Sequence, residues 1–471
     1  MSASAIFVHS PDDSAVIIAN HLARTTYDDL PANVVTTVKR AIADSIACIL
    51  AGTPGEEAAP LWALVRDWGG KPIASLMGGG GLRSAPDDAV LVNAGMGHQY
   101  DFDDTHDIAV CHPTAASFPA SLAVAQEKGG VSGKELITAI ALGNDLTSRV
   151  ALAINGRLNS FSFIRATIAG IFGAAAAAAK IQGATAEQHR HALGLALPQV
   201  GVTLASLMRG GSHVRSIRDG LAYRNGVLAA GLAMRGTRGD AEVFDGQYGL
   251  YHAYMGGQYD KAVLTDELGV RYETANVSLK PWPSCRHLHA TLTVLLGLMD
   301  KHGIGFDDID HVMLHVGDIN LDRCRPVETG MVPERRIELL CNLPFATGAA
   351  IRHGGLPIEL YRNGPMADDV VTNAVPKIRW MHDERQNGRW TIEPGMVDVI
   401  TKKGETFSGY SRFALGHPDN PMSDAQVRQK LIDCTAAAAR PLTAAQATAI
   451  FDMVMNLDQI ADVEALAKLI E

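Results

Sequence analysis

The sequence predicts a mainly α protein: a large helical domain interrupted by a smaller α+β segment. Three observations carry this. Apolar residues recur every three or four positions through much of the first 270 residues. The pattern changes near residue 270, where short stretches alternate instead. From Ser423 to Ile470 the helical period returns, so the last helices are expected to complete the first domain. The expected helical domain is 1–270 with 419–471, and the expected α+β domain is 271–418. No internal repeat is evident.

The elements follow in order. Residues 31–51 set Val35, Val38, Ile42, Ile46 and Ile49 on one stripe of a helix that Gly52 ends. Asp44 falls near that stripe and reads as a capping or buried, hydrogen-bonded carboxylate. The run GGGG at 78–81 lacks the GxxxxGK[ST] pattern and has no clear strand before it. It reads as a flexible connector, not a phosphate loop. A helix is expected next, with Asp87 or Asp88 near its start. Residues 115–127 and 133–153 read as helices, the second capped at Ser132. The helix at 166–182 contains six consecutive Ala and no charge among them, so it must pack centrally. Residues 221–235 form another. Beyond 270, HVMLHVGD alternates with Val312, Leu314 and Val316 on one face. GMVDVITKKGETFSGY reads as a hairpin turned at Lys402-Lys403-Gly404. Helices at 286–302 and 342–353 lie between these stretches.

Composition narrows the function classes. Across 471 residues, 47% hydrophobic and 20% charged content is that of a globular chain. A net charge of −10 argues against general nucleic-acid binding, which needs a basic face. Six scattered Cys without a CxxC pair, and an N-terminus without a secretory pattern, point to reduced thiols in the cytoplasm. No apolar run approaches the roughly 18 residues of a membrane span.

One stretch is chemically loaded. GHQYDFDDTHDIAVCHP, residues 97–113, holds four Asp, three His and one Cys between apolar segments. A solvated loop is one reading, although like charges this close repel unless protonated or hydrogen-bonded. A metal-dependent hydrolase is another, with Asp101, Asp103, Asp104, His106, Asp107 and His112 as ligands. The spacing fits no familiar metal template, and HDE at 382–384 is the only similar second run. A proton-transfer site is the third.

DFDDTH followed by HP, with SGKELITAIALGNDLTSRVAL, IFGAAAAAAKIQG, RDGLAYRNGVLAAGLAMRGTRG and SLKPWPSCRHLHATL, resembles the MmgE/PrpD family over roughly residues 15–470. That family includes 2-methylcitrate dehydratase, cis-aconitate decarboxylase and an iminodisuccinate epimerase. The resemblance implies a helical domain with a smaller α+β lid, usually a homodimer without cofactor or metal. It implies proton transfer at a carbon beside a carboxylate, where a base and fixed cations stabilise an enediolate-like intermediate. On the matching positions, Asp101 would orient or tune a base, Thr105 would donate to a substrate carboxylate, and His112 would carry the proton. Lys280 would be a substrate or catalytic cation. Arg215 matches a family Lys, and in the run Arg209, Arg215, Arg218, Arg224 several cations could clamp carboxylates. Arg165 and Arg286 join the expected carboxylate contacts, and His98 and His106 are expected to be structural or supporting.

The chain also departs from the family. The loop from Thr105 to His112 is one residue longer than in the decarboxylase. Ile164 stands where many members carry His, Arg224 and Cys285 where the decarboxylase carries Lys and His, and Phe345 where it carries Tyr. These differences argue against cis-aconitate decarboxylation in particular and leave Cys285 as a second acid–base candidate. The expected function is a cofactor-free lyase of a small di- or tricarboxylate. Dehydration comes first, epimerisation or decarboxylation second. A metal-dependent hydrolase and a non-catalytic carboxylate-binding protein are the rival classes.

Overall fold

The computed structural model describes residues 12–154, 163–201, 212–328, 336–362, 364–387 and 392–471. It divides into two compact units. One comprises residues 1–99, 109–277 and 428–471, the other 100–108 and 278–427.

The first unit is helical. Its centre is the Ala-rich helix Arg165–Gln182, packed against helices Pro113–Lys128, Gly133–Leu152 and Val214–Met234. Ala174 through Ala179 are all buried, and their small side chains let helix backbones approach closely. Helix Gly133–Leu152 starts at Ser132 in a reciprocal capping box with Glu135. Helix Ala32–Gly52 buries Val38, Ile42, Ile46 and Ile49, as its stripe predicts.

Two details differ from expectation. The helix expected at 221–235 starts at Val214, because the charged run VRSIRDG already folds as helix. The four glycines form the turn between the paired strands Ala74–Ser75 and Arg83–Ser84, and the Gly78 N–H donates to the Ile470 carbonyl at 2.8 Å. The connector is thus docked onto the C-terminal helix Glu464–Ile470. Arg83 ties the same region together through Glu464 and Glu471.

The second unit is α+β. Its four-stranded sheet runs in the order Ile378–His382, Ile309–Val316, Gly395–Thr401, Thr406–Ser411. The first pair is parallel and the other two antiparallel. Val312, Leu314 and Val316 are buried, as their alternation predicts. The last two strands form the expected hairpin, and Gly404 takes φ 82° in its turn, a value that favours glycine. Helix His289–His302 lies on these two strands, with helix Leu343–His353 beside it. Among the described residues, no helix is long and apolar enough to cross a membrane.

Candidate active site

The loaded stretch follows helix Pro86–Gly97 and ends at His112, the residue before helix Pro113–Lys128. Most of it is buried: Asp101, Asp103, Asp104, His106 and the hydroxyl-bearing Thr105 are all below 5% exposed, while His112 is half-buried. Solvated decoration is therefore the wrong description. Two of its residues leave the common backbone regions, Asp101 at φ 48° and Val110 at φ 55°. For a β-branched residue this is a strained conformation, costing on the order of 1–3 kcal/mol.

Within the second unit, Lys280 meets Asp101. The Lys280 ammonium donates to the Asp101 carbonyl at 2.7 Å and to its carboxylate at 2.5 Å. The two side chains are 0% and 5% exposed. Burial pulls the ammonium pKa down, but the charges of Asp101 and Asp103 and the hydrogen bond outweigh it, so Lys280 is held above its ordinary value. The lysine is thus a fixed cation in a dry place. Asp101, expected to serve a base, is in this unit the counter-ion of Lys280.

Cys285 lies in the same neighbourhood. Its N–H donates to the Leu340 carbonyl at 2.9 Å, which brings it beside Cys341. A hydrogen bond with Cys341, helped by His287 and Arg323, holds the Cys285 thiol well below its ordinary value of 9.0 against the effect of burial. Asp101, Cys285 and Cys341 each offer a ligand atom within 4.8 Å of one another. A metal there would have to compete with the Lys280 ammonium for the Asp101 carboxylate, so the set suits proton transfer better than cation binding. None of the six cysteines is in a disulfide.

Within the first unit, His98 and His112 sit ring to ring, with centroids 4.8 Å apart at 60°. Arg218 donates to His98 Nε2 at 3.1 Å. A guanidinium has no acceptor, so Nε2 must accept and the ring hydrogen sits on Nδ1, which lies 3.8 Å from Asp219 Oδ2. This chain of contacts orients His98 beside His112. Gly220 makes it possible: a Cβ there would lie 2.1 Å from the Leu91 carbonyl oxygen, so only glycine lets helix Val214–Met234 come this close to helix Pro86–Gly97.

The remaining candidates divide. Arg165 opens helix Arg165–Gln182 directly after the buried Ile164, and burial lowers its guanidinium pKa. Arg215 lies in the first turn of helix Val214–Met234, partly exposed. Arg224 is bonded to Asp87 at 2.9 Å and Asp88 at 3.3 Å, and it covers the Trp68 ring. Arg286 forms a two-pronged pair with Asp107 at 2.9 and 3.0 Å and donates to the Leu415 carbonyl. The guanidinium groups of Arg224 and Arg286 are therefore engaged by the protein's own acceptors. Their geometry points to structural ties rather than to substrate. Arg209 lies outside the described residues.

Sequence reasoning missed Cys341, Tyr361 and His287. Cys341 and Tyr361 come from stretches with no motif of their own. His287 lies one residue beyond Arg286 and could have been found only as a neighbour of Cys285.

Comparison with known proteins identifies the family. Residues 16–262 match the MmgE/PrpD N-terminal domain and residues 282–459 the MmgE/PrpD C-terminal domain. The cis-aconitate decarboxylase-like protein oryM of Aspergillus oryzae is 26% identical, with 96% of each chain covered. The cis-aconitate decarboxylase of Homo sapiens is 24% identical over 93% of this chain and 90% of its own. That of Aspergillus terreus is 24% identical over 94% and 93%. The two domain matches together account for most of the chain, and the chain belongs to the MmgE/PrpD family.

Proposed function

We propose that this protein is a cofactor-free lyase of a small di- or tricarboxylate, moving a proton at the carbon α to a carboxylate, with dehydration of a 2-methylcitrate-like hydroxy acid as its first reaction. One observation supports it most: a lysine ammonium with 0% exposure, fixed on an aspartate of the family's DFDDTH motif. A buried fixed cation is what an enediolate-like intermediate requires, because its charge acts at low dielectric and needs no reorganisation during reaction. In this reading Lys280 stabilises the developing negative charge and Asp101 holds it in place. Thr105 and Arg165 contact substrate carboxylates. His112, aligned by His98, is the main proton carrier. Cys285, already biased toward thiolate, is the second. A homodimer and a cytoplasmic location belong to the same reading.

The test is isotope exchange. The protein is incubated in D2O with hydroxy tricarboxylates, cis-aconitate and amino dicarboxylates, and deuterium at the α-carbon is followed by NMR. Exchange or water loss with one of these acids, abolished in His112→Ala, is the expected result. No exchange with any of them, or full activity in His112→Ala, would end the proposal.

Decarboxylation is a second reading, favoured by the printed names of the relatives. It is weakened by Ile164, Cys285 and Phe345, which stand where the resemblance calls for His, His and Tyr. Release of CO2 from cis-aconitate, measured in the same reactions, separates the two.

A further inference from the structure

Tyr361 ends the short 3-10 turn Ile358–Tyr361 in the second unit. Its side chain is buried, at 8% exposure, and its hydroxyl has no hydrogen-bond partner among the described residues. Its ring packs against Phe345 at 6.4 Å and Tyr100 at 6.5 Å between centroids. Neither ring offers it an acceptor: Phe345 has none, and the Tyr100 hydroxyl is engaged by Arg362 Nε at 2.5 Å. A buried hydroxyl left unpaired is costly, and native structures rarely keep one without a use. This one lies close enough to Asp101 and Cys341 to feel both; with burial they push the phenol well above its ordinary 10.0. The raised pKa favours the protonated phenol, which keeps an O–H to donate. Asp101 is the residue that carries the Lys280 ammonium. Cation and neutral donor thus belong to one neighbourhood.

We infer that Tyr361 is a substrate-contacting residue of the candidate active site, its hydroxyl donating to a carboxylate oxygen of the bound di- or tricarboxylate. This rests on the carboxylate-lyase reading and adds the donor that Phe345 cannot supply. The ligand brings the acceptor that the described residues do not supply, so binding relieves an unsatisfied group as well as forming a bond.

The experiment uses propane-1,2,3-tricarboxylate, a stable probe that cannot be dehydrated, with the full chain and its Tyr361→Phe variant. Titration calorimetry is expected to show roughly 10–100-fold weaker binding by the variant, the value of one hydrogen bond to a charged group. The unliganded melting temperature of Tyr361→Phe should equal or exceed the parent's, because the lost oxygen bonds nothing among the described residues. Equal affinities would overturn the inference. So would a melting temperature several degrees lower, which would make the hydroxyl structural, and so would no binding of the probe by the parent. Weakened binding without isotope exchange on any acid would keep Tyr361 in the site and remove only the proposed reaction.

Discussion

Neither Lys280 nor Asp101 is tolerable alone where it sits. Taking an ion out of water costs several kcal/mol even after the protein relaxes, and only the partner offsets it. Asp101→Ala is therefore expected to lower the unfolding free energy by about 3–5 kcal/mol, read from the shift of a urea transition. The double variant Asp101→Leu with Lys280→Met should lose much less, since no charge stays behind unpaired. Equal losses in the two would mean that the pair is not desolvated as described. Cys285 gives a second test at this scale. The largest influence holding its thiol down is the hydrogen bond with Cys341. At pH 7, Cys285 should alkylate with iodoacetamide faster than an ordinary thiol, and Cys341→Ala should slow it several-fold. Peptide mass spectrometry resolves the rate at each cysteine, and an unchanged rate at Cys285 would refute the contact.

Helices Ser14–Arg24, Arg165–Gln182 and Ala186–Ala196 meet around two buried histidines. Lys180 caps the end of the first, donating to the carbonyls of Leu22 at 2.7 Å and Ala23 at 3.0 Å. Burial, then Arg24, Arg149 and Lys180, lower His21 from 6.5 to about 4, with Asp29 opposing. Burial and Lys180 lower His189 to about 3. Both folded-state values lie below the unfolded one. Between them only the unfolded chain takes up a proton, so stability falls as pH drops from about 6.5 toward 4. For His21 the loss is at most roughly 3 kcal/mol. His189→Leu should flatten the fall in melting temperature over that window without lowering stability at pH 7, because neither His189 ring nitrogen has a partner among the described residues. An unchanged pH profile would rule His189 out as a cause. Of these helices, Arg165–Gln182 was legible from its uncharged Ala run, while Ser14–Arg24 and Ala186–Ala196 were not singled out. The start at Val214 was not legible either, since Arg215 and Arg218 look like solvated charge until His98 is seen to need Arg218.

Over the whole chain, local pattern reached far: most of the long helices, the change of period near 270, the hairpin at Gly404 and the DFDDTH stretch could be read, while Ser14–Arg24, Ala58–Trp68 and Ala186–Ala196 were not singled out. What could not be read is pairing over long sequence distance. Nothing in CNLPF marks Cys341 as the neighbour of Cys285, and nothing in PIELY marks the Tyr361 hydroxyl as a buried donor. Each becomes visible only when a distant segment supplies the other half. Asp44 is the same case in the helical unit. Read as a buried or capping carboxylate, it proves to be 1% exposed and bonded at 2.5 Å to Lys430, on helix Asp424–Ala436. Asp44, Cys48 and Cys434 together raise the lysine's pKa against burial. This contact ties helix Ala32–Gly52 to a segment that arrives only after the whole α+β unit has been threaded. Lys430→Met should cost about 3–5 kcal/mol by urea denaturation, because it strands a carboxylate in a dry core. Adding Asp44→Val should restore most of that loss. If instead the double variant is as unstable as the single, the pair contributes its own net attraction, and the C-terminal return of the chain is held by charge rather than by the apolar faces around it.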